Sequence, residues 1–122
     1  MLSHPSIVAS VRADVSPSGR VVVLQLVGRH DFRMAGELRQ TLLLVATREL
    51  VVLDLRDCTF IDGSIIGLVL ATHSRLSRRG RGLVLANAGG SVLRTVAGLG
   101  GPTGPMVYDD QGGRVDALRR SA

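Results

Sequence analysis

Residues 49–55, ELVVLDL, hold Leu50, Val51, Val52, Leu53 and Leu55 with a single acid, Asp54, among them. A strand with one side in water alternates apolar and polar side chains. A run this nearly unbroken, bounded by charge and too short for a buried helix, is the pattern of a parallel strand covered on both faces. It is the expected centre of a sheet. Its parallel neighbours each need a crossover of about a dozen residues or more, so helices must alternate with the strands around it.

The rest of the chain supplies those parts. SIVASVRA at 6–13 sets Ile7, Ala9, Val11 and Ala13 on one face of a half-exposed strand. DVSPSG at 14–19 is dense in turn formers, and RVVVLQLVG at 20–28 resumes strand character, which predicts an antiparallel hairpin. From Arg33 to Thr47, Met34, Leu38, Leu42 and Val45 recur at helical spacing with Glu37, Arg39 and Gln40 turned outward. Asp62 to Arg79 reads as a second helix, its end marked by Arg75, Arg78 and Arg79 before Gly80, where carbonyl dipoles favour cations. GLVLAN at 82–87 is a short strand, SVLRTVAGLG at 91–100 a short helix stopped by glycines, GLGGPTGP at 98–105 a loop, and MVY at 106–108 a last edge strand.

The expected fold is therefore α/β: a mixed, mostly parallel sheet with an N-terminal antiparallel hairpin and helices mainly on one face. With 122 residues there is material for one domain, 1–122, with a core over about 6–108 and a tail, 109–122, holding a short helix around Val115 to Arg119.

Composition narrows the function. The longest apolar runs, LLLVA at 42–46 and IIGLVLA at 65–71, are far too short to span a bilayer, and the opening MLSHPSIVAS lacks the layout of a secretory signal. With one cysteine, Cys58, no internal disulfide forms, which fits a reducing cytoplasm. A soluble, cytoplasmic protein without membrane insertion is expected. The net charge of +5 comes from 15 basic residues, all arginine, but two Phe, one Tyr and no Trp leave little to stack on bases, so direct nucleic-acid binding is not expected.

Catalytic chemistry finds no footing. His4, His30 and His73 have no acid or cysteine beside them at metal-ligand spacing, Cys58 has no histidine base near it in sequence, and a chain without lysine cannot supply a Walker-type GK[ST] loop. No catalytic residue, metal or cofactor is expected. What remains is CTFIDGSIIG at 58–67, the connection after the most buried strand, where functional residues collect in sheets of this kind. Asp62 or Ser64 is suited to capping the helix that begins there. The next seven residues, IIGLVLA, set apolar side chains all round its first two turns, so either other elements bury it on every side or part of it is a dry docking surface.

VVLDLRDCTFIDGSIIGLVLATHSRLSRRGRGLVLA resembles the central signature of the STAS domain, the fold shared by anti-sigma factor antagonists and the cytoplasmic tails of sulphate transporters. The family form is a strand ending in an LDL-like run, then F-I-D-S-S-G-L-G and a helix with arginines at its end. Upstream, GRHDFRMAGELRQTL at 28–42 is similar to the family's G-x-L-D-x-x-T-A-x-x-L-R segment, which sets Asp31 on its aspartate and Ala35 on its alanine. Departures are Gly63 for the first serine, Ile65 for the following glycine, Ile66 for the leucine and Met34 for the threonine.

The resemblance implies a switch in place of catalysis. In bacterial antagonists of this kind a partner anti-sigma factor, which is also a serine kinase, phosphorylates a hydroxyl of the D-S-S-G segment; the unphosphorylated form binds that partner and frees the sigma factor for transcription. Carried over, Ser64 is the phosphoacceptor, and Asp31, Asp62, Gly63, Ile65, Ile66 and Val69 form the partner-binding surface, with the three apolar residues as its floor. The alternative is a STAS module that is not phosphorylated and serves as a structural subunit of a signalling scaffold or membrane transporter complex. Whether the chain is a monomer or a homodimer is left open.

Overall fold

Four valines in residues 21–27 stiffen the backbone into the extended form, and strand β2, Val21–His30, is ten residues long. The computed structural model describes residues 8–115, and β2 is the strand on which their sheet is organised. It pairs on one side with β1, Ser10–Val15, in an antiparallel hairpin that runs from Ser10↔Val27 to Val15↔Val22. On its other side its first half lies parallel to β3, Leu50–Asp54, and its second half parallel to β4, Cys58–Ile61. The order across the sheet is β1, β2, β3, β5 (Gly82–Ala88), β6 (Met106–Asp109) and β7 (Arg114–Val115), with β4 against the far end of β2.

Strand β4 exists because β3 ends at Asp54 while β2 continues to His30. The unpaired end of β2 needs hydrogen-bonding partners, and the chain runs on in the same direction through a short turn at Arg56 and Asp57 to supply them. The join is a bulge: Gly28 pairs Cys58 but Arg29 pairs Phe60. Gly28 sits at φ +82, a conformation that costs a glycine nothing, and donates its N–H to Asp57 O at 2.9 Å.

The helices α1, Ala35–Val45, α2, Gly63–Ser77, and α3, Gly90–Val96, are the crossovers that make β2, β3, β5 and β6 parallel. Leu38, Leu42 and Val45 of α1, Ile65, Val69, Thr72 and Leu76 of α2, and Val92 and Val96 of α3 are their buried positions. All but Thr72 join Val22, Leu24, Leu26, Val51, Leu53, Leu83 and Leu85 in one core cluster, so the three helices lie on one face of the sheet. Helix α2 stops as its sequence requires. Gly80, at φ +70, comes after the arginines, and the Arg81 and Gly80 N–H groups close back on Leu76 O and Ser77 O at 2.9 and 3.1 Å.

Several expectations are corrected. The first strand runs over 10–15 instead of 6–13, and the turn shifts with it, because pairing with Val22–Val27 fixes the register; residues 6 and 7 lie outside the described residues. Phe32–Met34 forms a 3-10 turn ahead of α1, and Ala97–Leu99 another after α3. β3 is buried at Val51 and Leu53 but only half-buried at Leu50, Val52 and Asp54, so it is not covered on both faces. Of the expected tail helix only Val115 is described, in β7; Asp116 to Arg119 lie outside the described residues.

Leu53 is fully buried at the centre of the helix-covered face. Leu53→Ala is expected to lower unfolding stability by about 3 kcal/mol, measured by urea denaturation with an unchanged denaturant slope.

Candidate functional site

The parallel pair β2 and β4 ends in register at His30↔Ile61, so Asp31 and Asp62 leave the sheet side by side. Each has extended backbone and caps the next element, Asp31 the 3-10 turn and Asp62 helix α2. The Asp62 carboxylate has a double task. Its Oδ1 accepts from the N–H groups of Ser64 and Ile65 at 2.9 and 3.2 Å and from the Ser64 hydroxyl, while its Oδ2 accepts from the Phe32 N–H at 2.9 Å. One side chain thus fixes the start of α2 and the path into α1. These four donors, the Ser64 hydroxyl first, hold the Asp62 carboxyl below the usual carboxylate range against the opposing effect of desolvation.

Asp31 is built differently. It is 5% exposed, and its carboxylate is enclosed by Arg33 and Arg29. Arg33 donates its backbone N–H to Oδ1 at 3.0 Å and its guanidinium Nη2 to Oδ2 at 2.8 Å, and Arg29 Nε donates to Oδ2 at 3.2 Å. The Arg33 hydrogen bond is the largest cause of a pKa held well below the ordinary carboxylate range; desolvation opposes it, and Arg29 adds to it. The two arginines spread from Asp31 over the chain's two phenylalanines: the Arg29 guanidinium lies 3.8 Å from the Phe60 ring centroid and that of Arg33 6.0 Å from Phe32.

Of the residues expected to meet a partner, Asp31 and Asp62 stand together at this rim, and Gly63 and Ser64 are exposed on the first turn of α2. The apolar floor is corrected. Ile65 is 0% and Val69 2% exposed; both point into the core, and only Ile66 is half-buried. The all-round apolar start of α2 divides between that core and an open side of Gly67, Leu70 and Ala71. Phe32, 70% exposed beside the Asp62 carboxylate, is the apolar group the sequence reading missed. Its signal was an aromatic directly after an acid suited to capping, a position at which the side chain turns outward.

The other titratable candidates belong to the frame. His30 is fully buried, its Nε2 3.0 Å from Val27 O and 3.2 Å from Ser10 O. His73 Nε2 meets Thr103 O at 3.1 Å. Cys58 is buried, and that burial pushes its thiol up, away from the reactive thiolate. Among the described residues no helix is long and apolar enough to cross a membrane.

A family model described as "Mlab, STAS domain" matches residues 13–106. Among solved structures, the phosphorylated form of the Bacillus cell fate determinant SpoIIAA is similar with TM-score 0.63 and 19% identity, over 93% of this chain and 100% of that one. An anti-sigma factor antagonist from Mycobacterium paratuberculosis gives TM-score 0.61 and 24% identity over 78% and 80% of the two chains. A sulfate transporter family protein from Wolinella succinogenes gives 0.55 and 17% over 66% and 71%. At such identities the likeness is one of fold. No curated protein sequence matches the chain.

Both aspartates have folded pKa values below those of the unfolded chain, so their contribution to stability is complete above the unfolded value and is lost as the pH falls through the folded ones. Thermal unfolding midpoints are expected to hold steady from neutrality to about pH 5 and decline below about pH 4. Asp62→Ala removes the acceptor for both helix starts and lowers the midpoint at pH 7, whereas Asp62→Asn, which keeps one carbonyl oxygen, lowers it less; differential scanning calorimetry distinguishes the two.

Proposed function

The chain belongs to the STAS domain family, and from that premise we propose that it is a bacterial, cytoplasmic anti-sigma factor antagonist that docks on an anti-sigma factor with serine kinase activity and is released by phosphorylation of Ser64. The observation that carries this reading is the Ser64 hydroxyl itself. It is exposed on the first turn of α2 and hydrogen-bonded to Asp62. SpoIIAA, whose fold this chain shares, exists in phosphorylated and unphosphorylated forms, which supports the reading.

The physics of the switch comes from the cap. Ser64 donates its hydroxyl proton to Asp62 Oδ1, and a phosphate ester has no proton on that oxygen, so the contact opens on phosphorylation. The new group carries roughly −1.5 to −2 charges beside a carboxylate held ionised. Asp62 still keeps three backbone N–H donors, from Ser64, Ile65 and Phe32, and the phosphate gains the positive end of α2. The domain keeps its fold. The penalty falls on the complex, where two adjacent negative charges lose water against a surface formed by Asp62, Gly63, Ile66 and Phe32, with Asp31 buried behind it. Regulation of sigma-dependent transcription is then the outcome of one reversible docking event, with no cofactor and no chemistry of the domain's own.

A second reading has its own support. Transporter STAS domains share the fold, and this chain has Gly63 and Ile65 where the antagonist motif has serine and glycine. In it the same face is a permanent contact within a scaffold or transporter complex and Ser64 stays unmodified.

Trypsin releases Asp57–Arg75 as one peptide with Thr59, Ser64, Thr72 and Ser74. Mass spectrometry of the protein from its own cells, in growth and under stress, is expected to find phosphate on Ser64 that changes with condition; a well-detected peptide without phosphate in either state favours the permanent-subunit reading. With the partner in hand, Ser64→Asp is expected to weaken binding about tenfold or more, some 1.4 kcal/mol, and Ser64→Ala to bind constitutively, both melting close to the wild type. A Ser64→Asp variant that does not fold assigns Ser64 to the frame and overturns the switch.

A further inference from the structure

Positive charge is spread unevenly over the molecule. Arg20, Glu49 and Arg81 directly precede three paired strand starts, since Val21 pairs Leu50 and Leu50 pairs Gly82, so the three stand in a row along the edge at which the parallel strands begin. Helices α1 and α2 run back to that same edge. They bring Arg48, two residues ahead of β3, and Arg75, Arg78 and Arg79 at the end of α2. The connecting segments there, 16–20, 46–49 and 77–81, hold a single acid, Glu49. At the opposite edge, where the strands end, Arg29, Arg33 and Arg56 stand among Asp31, Asp54, Asp57 and Asp62. The surplus is therefore at one end.

The frame uses little of this charge. Arg48 and Arg81 donate to the carbonyls Gly19 O at 2.9 Å and Ala46 O at 3.1 Å, which fixes two connections but leaves both cations without a counterion. Among the described residues only Arg20 of the six forms an ion pair, with Glu49 at 4.0 Å. The carbonyl end of α2 carries about half a negative charge, which one of Arg75, Arg78 and Arg79 offsets. Beside these arginines lie two apolar groups. Leu43 and Leu44, in the last turn of α1, are 46% and 81% exposed, and the Arg81 bond to Ala46 O ties that turn to the arginine segment. The chain's three aromatics, Phe32, Phe60 and Tyr108, lie toward the strand ends, so this patch offers bases nothing to stack on. Exposed leucine among arginines suits the headgroup layer of a bilayer instead.

We infer that the edge at which the parallel strands begin is a docking site for an anionic membrane surface, with Arg75, Arg78, Arg79 and Arg48 on lipid phosphates and Leu43 and Leu44 in the interface. A guanidinium meets a phosphate with two parallel hydrogen bonds, which suits arginine to this task. The contact is peripheral and reversible, and no segment enters the hydrocarbon. Ser64 stands at the other end of the fifteen-residue α2, about 20 Å away, so it stays in water when the patch is occupied. Adsorption goes beyond the Ser64 switch and does not depend on it.

Co-sedimentation of the full chain with sucrose-loaded vesicles, of phosphatidylcholine alone or with about 30% phosphatidylglycerol, tests it. Binding is expected on the anionic vesicles only, and is expected to weaken about tenfold or more between about 0.05 and about 0.5 M salt. Arg79→Glu is expected to weaken it about tenfold, whereas Arg12→Glu, the same change of net charge placed on β1, shifts it less than about twofold. Leu44→Ser leaves the charge unchanged and is expected to weaken binding about threefold. All three positions are exposed, so melting midpoints are expected to stay close to the wild type. Should Arg79→Glu disturb the end of α2, Arg79→Gln, which adds no negative charge there, is expected to weaken binding about threefold. A protein that does not sediment with the anionic vesicles overturns the inference. So does equal weakening by Arg12→Glu and Arg79→Glu, which makes net charge the cause. Undiminished binding by Leu44→Ser overturns it too, because the patch then accepts any polyanion, duplex DNA included.

Discussion

The Asp62 carboxylate is the point at which the two halves of the site are joined. Its two oxygens face different elements, one the open N–H groups of α2 and the other the N–H of Phe32. A helix start needs acceptors for its first donors, and here one acid serves two starts because β2 and β4 deliver their ends side by side. Asp31, its neighbour, is satisfied by guanidinium charge, whereas Asp62 is satisfied by neutral donors alone. A new negative group on the first turn of α2 therefore acts most directly on the aspartate that forms no ion pair among the described residues.

That economy explains how a surface serine can sit beside a rigid frame. Ile65 and Val69 anchor α2 in the core within a few residues of Ser64, so the helix itself has little freedom to respond to a change at its tip. What lies open to solvent is the rim: Ser64, Gly63, and the outward ring of Phe32. Rigid elements that hold a few exposed groups in fixed positions are suited to docking that is decided by charge.

Most of the architecture was legible because it rests on period and punctuation. The 3.6-residue spacing of Leu38, Leu42 and Val45, the run at 50–53, and Gly80 after a trio of arginines each have one physical reading. β4 was not legible: CTFI has too few residues for a pattern, and its existence is set by the length of β2, a long-range fact. Ile65 and Val69 were misassigned because an apolar helix start does not say which of its sides meets the sheet. ELVVLDL suggested a strand covered on both faces, whereas helices cover only the side of Val51 and Leu53, because an unbroken apolar run does not say whether both of its faces find a cover. Asp31 and Asp62 were found through motif position, but their adjacency and their different partners depend on the parallel pairing of His30 with Ile61.

The length of β2 also bears on the order in which the chain assembles. It is the shared neighbour of β1, β3 and β4, and all three are complete by residue 61. Its contact with β1 closes a loop of a few residues, and those with β3 and β4 come only after longer separations that cost more chain entropy and form more slowly. A nascent chain that has cleared the ribosome to Asp62 thus holds four strands of the sheet and both aspartates before β5 has been made. The next helix, α2, then starts on an acceptor, Asp62, that the finished β2–β4 pair already places.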